Sequence, residues 1–338
     1  MSCAAGPDLN PAALTSPSFG ATSDRLARLR IAITYLWRHH RLPDLSCPRR
    51  FTEFVQHRKL FDRDPGLSAC SDKLAVKTYV TERLGQDWVT PTLWHGTALP
   101  VAPIWPLPFV VKSRHGCNQR AFVRSMADNW DAVRHRSAGW MTQPYGLWLD
   151  EWLYTRIPLG LLVEPFIGNR GQLPLDYKLY VFAGKVACIQ VHLDRETRHR
   201  WMLFDRDGRR LSAPTSDPDP PMPGSLGRMI AAAETLGRDF DFVRVDFYEI
   251  DGQPRFGEMT FYPGSGLDPF DPPELDLMLG ALWADARKAK RYAGSEFGCD
   301  VHHPGEPLGG HAAPAAAQPV GDMVPVGAPG IEPDRDPA

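Results

Sequence analysis

The stretch Arg244-Val-Asp-Phe-Tyr-Glu-Ile-Asp-Gly-Gln-Pro-Arg-Phe-Gly-Glu-Met-Thr-Phe-Tyr-Pro-Gly264 reads as a β-hairpin with a chemically loaded face. Alternate side chains of a strand point the same way. Arg244, Asp246 and Tyr248 therefore share a face on the first strand, and Glu258, Thr260 and Tyr262 share it on the second. Asp251-Gly252 supplies the turn, and a register centred on Gly252 sets Asp246 opposite Glu258. Directly paired residues lie ~4.5–5.5 Å apart at Cβ, so two bare carboxylates there repel. Two resolutions are open. One is a shared cation, since Mg2+ takes one or two carboxylates together with substrate phosphates. The other is a shared proton, since like charges raise one pKa. A plainer reading is a solvated hairpin face on which Arg244 pairs with Asp246.

Working outward, Pro263-Gly264-Ser265-Gly266 lets backbone N–H groups approach a ligand closely, or is a simple loop. Lys112 ends the apolar run Pro108–Ser113. Its ammonium either meets a phosphate or snorkels to water. The loop after it, Arg114 to Gln119, holds one glycine, Gly116, a thin phosphate cradle in which Arg114 and His115 are candidates to add charge. Glu164 closes Leu-Leu-Val-Glu and either accepts from an adenine amino group or ribose hydroxyl, or decorates an edge strand. Asp176 and Lys178 share a face at the start of a strand, as an ion pair or as a second lysine for phosphate.

The 338 residues are 43% hydrophobic with a formal net charge of −2, enough for a sizeable core and without an electrostatic case for nucleic acid. Six scattered cysteines without CxxC fit reduced thiols better than disulfides or zinc. No apolar run is long enough to span a bilayer. Residues 1–22 and 303–338 read as disordered. Between them, Ser23 caps a helix with Leu26, Leu29, Ile33 and Trp37 inward. Ser71 caps a second helix that carries Asp72-Lys73. Strands run through 161–166, 176–193 and 199–204. Ser225 caps a third helix, ended by Gly237. Pro272 and Pro273 open a fourth, with Leu275, Met278, Leu279 and Leu282 on one stripe. Trp130, Trp140, Trp148 and Trp152 read as core. Strands in hairpins with helices between the groups predict an α+β protein.

The order Asp72-Lys73, Val-Val-Lys112, Val-Glu164, Leu236-Gly237, Arg-Val-Asp246 and Glu258-x-Thr260-x-x-Pro-Gly264 resembles the ATP-grasp superfamily. Asp-Tyr-Lys178 and Phe-Gly-Glu-Met-Thr-Phe-Tyr-Pro-Gly-Ser-Gly266 are similar to its TupA-like group, associated with teichuronopeptide and other surface-polysaccharide biosynthesis. The resemblance runs from about Phe51 to Trp283. It implies two α+β subdomains, about 67–160 and 161–292, clasping ATP behind an N-terminal helical segment, 23–66.

The resemblance also implies roles. Lys73 and Lys112 contact ATP phosphates under the Gly116 loop. Glu164 sits at the adenine–ribose end, with Asp176 nearby. Asp246, Glu258 and Thr260 hold Mg2+; many relatives carry Asn at the last position, and Thr keeps the oxygen but not the amide. Arg244 stabilises an oxyanion with backbone N–H groups near Gly264 and Ser265. Lys178 is a phosphate or substrate contact. The implied activity is an ATP- and Mg2+-dependent carboxylate–amine ligase acting on small molecules or a surface-polymer precursor, cytoplasmic or peripheral at the inner membrane face. A phosphotransferase or a polysaccharide-pathway glycosyltransferase is the alternative. Catalysis by positioning needs no side-chain nucleophile.

Overall fold

A computed structural model describes residues 21–168, 173–193, 200–215 and 217–296. The expected disordered segments 1–22 and 303–338 lie almost wholly outside the described residues. The chain opens with helices α1 (Ala21–His39), α2 (Phe51–Phe61), α3 (Pro65–Ser71) and α4 (Ala75–Leu84). Strands β1 (Trp94–Gly96), β2 (Phe109–Ser113) and β3 (Arg120–Val123) follow, then α5 (Trp130–Trp140), the single turn α6 (Trp152–Thr155) and β4 (Leu161–Pro165). The rest is β5 (Asp176–Phe182), β6 (Lys185–Leu193), β7 (Arg200–Asp205), α7 (Leu226–Gly237), β8 (Phe242–Ile250), β9 (Gln253–Thr260) and α8 (Glu274–Glu296).

Two antiparallel sheets result. The smaller has the order β1-β4-β2-β3 and the larger β7-β6-β5-β8-β9. Strand β4 lies between β1 and β2, with Val111 opposite Val163. The expected subdomain boundary at 160/161 therefore cuts β4 from the sheet it belongs to, because an apolar strand carries no mark of which sheet pairs with it.

At the centre of the larger sheet every residue of β5 is buried. One face, with Val181 and Val243, is covered by α7, whose Gly237 packs closely against both valines. On the other face, Tyr180, Phe182 and Phe242 meet the rings of Phe51 from α2 and Trp283 from α8. Asp176 and Lys178 continue that same face by the period of two. One sheet face is thus greasy at one end, under α2 and α8, and charged at the other.

Helix α2 was not legible as an element, yet it is well determined. Glu53 accepts from the Arg49 and Arg50 amides at 3.0 and 3.1 Å, and Asp276 of α8 accepts from the Thr52 amide at 2.9 Å. These carboxylates satisfy amides that a helix start leaves unpaired. Helix α8 presses against the same point. A Cβ added at Gly280 would lie 2.1 Å from the Arg49 carbonyl oxygen. Backbone cannot swing away as a side chain does, so Gly280→Ala is expected to cost about 1–3 kcal/mol, read from the denaturant midpoint.

Four helix readings are corrected. Leu26, Leu29, Ile33 and Trp37 are 52–72% exposed, and α1 buries Ile31 and Tyr35 instead; both faces of this helix are apolar, so periodicity alone chose the wrong one. Ser71 ends α3, and Asp72-Lys73 lie in the turn before α4, where the Asp72 carboxylate accepts from the Leu74 amide at 2.9 Å. Ser225 makes no side-chain cap; its hydroxyl donates to Glu249 at 2.5 Å. In α8 the inward residues are Leu275, Leu279, Trp283 and Ala286, with Met278 and Leu282 about 40% exposed. Nor are the four tryptophans all core. Trp130 and Trp140 pack on the smaller sheet's core and Trp152 on the larger's, while Trp148 is 74% exposed.

Candidate functional site

A cleft of about 580 Å³ is lined from both sheets, within the ~300–1,000 Å³ usual for small-molecule sites. All the site residues that the resemblance implies line it, whereas Arg114 and His115 do not. Lys112 and Glu164 come from the smaller sheet, with Lys73 and Gly116 beside it. Asp176, Lys178, Arg244, Asp246, Glu258 and Thr260 come from the larger, with Gly264 and Ser265 beyond the end of β9.

On the smaller sheet, Lys112 pairs with Leu162 and Val110 with Glu164, so Lys112 and Glu164 meet diagonally on one face. The Lys112 ammonium donates to Glu164 Oε2 at 2.5 Å. A second lysine, Lys77 of α4, binds the other oxygen and also donates to the Thr90 carbonyl at 2.8 Å. Burial alone would raise the Glu164 carboxyl, but Lys112 and Lys77 hold it below its ordinary value. Lys77 was missed in the sequence. Lys73 lies in the turn before α4 and Lys77 within it, so no helical spacing links the two and the local pattern around Lys77 carried no signal.

The loop after β2 behaves differently from expectation. Arg114 forks onto Asp72, with Nε 2.7 and 2.8 Å from its two oxygens. His115 is fully buried, 3.0 Å from the Trp140 carbonyl, and burial pushes its pKa down. Neither supplies charge to a phosphate; both lock the loop. Lys73 does reach it, donating to the Gly116 carbonyl. Burial pushes the Cys117 thiol up to about 11, so it is protonated at neutral pH. Cys117→Ser is expected to keep turnover within about twofold of the parent, because only a thiolate attacks; a large loss would make the thiol part of the chemistry.

On the larger sheet the expected facing is reached by a different register: the turn pairs Ile250 with Gln253 and Phe247 with Phe256, and a bulge after Asp246 shifts the pairing by one residue. Asp246 faces Glu258 and Arg244 faces Thr260. Asp251 and Gly252 turn it with φ of 51° and 71°. Arg244 grips Asp246 with Nε and Nη2 at 2.7 and 2.8 Å, and Nη2 reaches Thr260 Oγ1 at 3.2 Å and Glu258 at 3.4 Å. Lys178 binds Asp246 and lies 2.7 Å from Asp176. The ion pairs Arg244–Asp246 and Lys178–Asp176 are thus real, but they are held inside the cleft rather than on a solvated face. Burial works against the Arg244 charge, and Asp246 more than restores it, raising the guanidinium's pKa. The Glu258 side chain is 37% exposed, whereas Asp246 is almost wholly buried.

The turn after β9 is set by α2. Gln56 donates to the Ser265 carbonyl at 2.8 Å and Lys59 to the same oxygen at 2.9 Å. Gly264, Ser265 and Gly266 all have positive φ, at 52°, 57° and 67°. A Cβ at Gly266 would also strike Val55 at 2.8 Å. Sequence reading found the turn but not the helix that holds it.

The chain matches the TupA-like ATP-grasp family over residues 53–284, more than half its length. The protein belongs to the TupA-like ATP-grasp family. Its fold is α+β, with helices and two antiparallel sheets around the cleft. Solved structures similar to this ATP-grasp chain include D-alanine–D-alanine ligase from Bacillus anthracis, at 16% identity over 68% of this chain and 71% of that one, with a TM-score of 0.40. They also include L-amino acid ligase from Bacillus licheniformis, at 14% over 64% and 44%, TM-score 0.38. VanG D-Ala:D-Ser ligase from Enterococcus faecalis is a third, at 13% over 66% and 62%, TM-score 0.38. No curated protein matches in sequence. Among the described residues no helix is long and apolar enough to cross a membrane.

Proposed function

We propose that this ATP-grasp protein binds ATP with Mg2+ in the cleft and joins a carboxylate to an amine by way of an acyl phosphate. The observation that carries the reading is convergence. Lys73, Lys112, Lys178 and Arg244 meet Asp246 and Glu258 in one cleft of ligand size. Such an array binds a polyanion with its counter-cation.

Each side chain then has a task. Lys73 and Lys112 bind phosphate oxygens under the Gly116 loop. Glu164 fixes Lys112 and Lys77 and faces the adenine–ribose end. Asp176 positions Lys178 against the phosphates. Arg244 and the backbone N–H groups around Gly264 and Ser265 stabilise the oxyanion as the amine adds.

The donor set fits a hard cation. Asp246, Glu258 and Thr260 offer only oxygen, and the part-exposed Glu258 presents its carboxylate to the cleft. Asp246 and Glu258 would hold the cation with Thr260, and phosphate oxygens of a bound nucleotide would supply further ligands. The cation would neutralise the phosphate charge that builds during transfer. Positioning and charge do the remaining work, so no nucleophilic side chain is required.

On this reading the substrates are small carboxylates and amines, including precursors of a surface polymer, which puts the protein in the cytoplasm or at the inner membrane face. The test is ADP release against panels of amino acids, uronic acids and amino sugars, with mass detection of the product. An amide formed only when an amine is present supports a ligase. A phosphorylated product without amine would make it a phosphotransferase, and turnover of a nucleotide-sugar without ATP a glycosyltransferase. Lys112→Met is expected to raise KM for ATP by ~10–100-fold, the worth of a charge-assisted hydrogen bond.

A further inference from the structure

Glu151 and Lys59 have no task in the scheme above, yet they meet at the turn after β9. Ser265 is a side-chain-bearing residue held at φ 57° between two glycines that share its left-handed conformation. That conformation disfavours any Cβ. A third glycine would relieve it, so the position is kept for the hydroxyl. Ser265 Oγ accepts from Lys59 Nζ at 2.5 Å, and Glu151 lies close enough to feel both Lys59 and the Ser265 hydroxyl. Lys59, Ser265 and Glu151 are 2%, 7% and 4% exposed.

The three do not face the same way. Glu151 and Ser265 line the cleft, and Lys59 sits behind its wall. The Lys59 ammonium is committed to the Ser265 hydroxyl and carbonyl. A carboxylate has about four acceptor positions, and the Ser265 hydroxyl beside Glu151 fills at most one of them. The rings of Tyr145 and Tyr154, edge to face at 5.4 Å, stand in the same part of the lining. Cys117, 3.3 Å from the Tyr154 hydroxyl, feels the charge of both Glu151 and Glu258, so this corner adjoins the carboxylate pair of the hairpin.

A carboxylate beside aromatic faces recognises an ammonium, by a charge-assisted hydrogen bond and by cation–π attraction. We propose that Glu151, with Ser265 and the rings of Tyr145 and Tyr154, forms the subsite for a primary ammonium group, the amine substrate of the ligation. This assignment names the acceptor end of the cleft and rests on the ligase reading. Burial keeps the Glu151 carboxyl above its ordinary pKa even though Lys59 and Ser265 pull it down.

The experiment is saturation-transfer NMR on the full chain with methylammonium chloride, the smallest primary ammonium. Methanol is its uncharged counterpart, and Mg2+ with AMPPNP is titrated separately. The wild type should transfer saturation to methylammonium and not to methanol. Glu151→Gln should weaken that by at least ~10-fold, the loss of one hydrogen bond to a charged group, with AMPPNP affinity unchanged. Ser265→Gly relieves the backbone and is expected to fold; it should weaken methylammonium several-fold. Equal transfer in wild type and Glu151→Gln overturns the subsite, as does a wild type that prefers methanol or binds neither. A wild type that binds methylammonium but not AMPPNP leaves the subsite standing and overturns the ligase reading instead.

Discussion

Glu258→Gln should abolish Mg2+-dependent ADP release and leave the protein folded. The side chain is 37% exposed, and the substitution keeps its size, so little burial is lost. What disappears is one of the two carboxylates set opposite each other across the hairpin. The new amide would also bring an N–H group toward Arg244, whose Nη2 lies 3.4 Å from the present oxygen. A cation-holding carboxylate at a reacting phosphate contributes through charge stabilisation, and its removal is expected to lower kcat by about 10²–10³-fold. Turnover and thermal unfolding are measured together. Normal turnover would remove Glu258 from the metal assignment, and a large fall in Tm would turn the effect into one of folding.

Arg58→Met should do the reverse, with a large loss of stability and little direct effect on the chemistry. Arg58 is fully buried and lies 4.5 Å over the Trp283 ring. It donates to the Phe242 carbonyl at 2.9 Å and pairs with Asp241. Removing one partner of a buried pair costs about 3–5 kcal/mol, because the other charge is left uncompensated. Here Trp283 and Arg287 still bind Asp241, at 2.9 and 3.1 Å, which favours the lower end. For a domain of this size that is a fall in Tm of roughly 6–20 °C.

The acid response should change as well. Burial alone would raise the Asp241 carboxyl, but Arg58, Trp283 and Arg287 hold it below its ordinary value. A depressed carboxylate stabilises fully above the unfolded pKa of ~3.9 and loses that contribution as pH falls through the folded value. Arg58→Met should therefore unfold with a weaker acid dependence than the parent. An unchanged Tm, or an unchanged acid profile, would show that Asp241 finds full compensation without Arg58.

The hairpin was readable because its information is local. Period two and the residue types set Arg244 with Asp246 on one face of the first strand and Glu258 with Thr260 on one face of the second, while a bulge after Asp246, not the Asp251-Gly252 turn alone, brings the two pairs opposite each other. The structure places them so, with Asp246 opposite Glu258. Lys112, Glu164 and Lys178 were readable for the same reason, as charged residues in short apolar strands. Helix α2 was not, since its apolar and charged residues are buried alike: Phe51 and Phe54 by rings, Arg58 and Lys59 by specific partners far along the chain. A buried arginine and lysine look like a solvated face until the partner elements are in place. Glu151 failed in the same way, standing before a single helical turn with no periodicity around it.

Helix α1 makes the distinction sharpest. Its apolar spacing was read correctly and its orientation was not, since Ile31 and Tyr35 form a second stripe on the opposite side. Periodicity measures how apolar residues are spaced along one helix; which stripe is buried depends on what the rest of the chain offers to cover it. By itself, the sequence determined the charged hairpin, the lysines that meet it and the family to which they belong, because strand period, turn chemistry and residue type act over a few residues. Only the tertiary structure decided that β4 joins β2, that α2 grips the Ser265 turn and that Arg114 is tied to Asp72 rather than free for phosphate. Those outcomes depend on pairings between residues tens to hundreds of positions apart, set by shape and charge complementarity that no local pattern encodes.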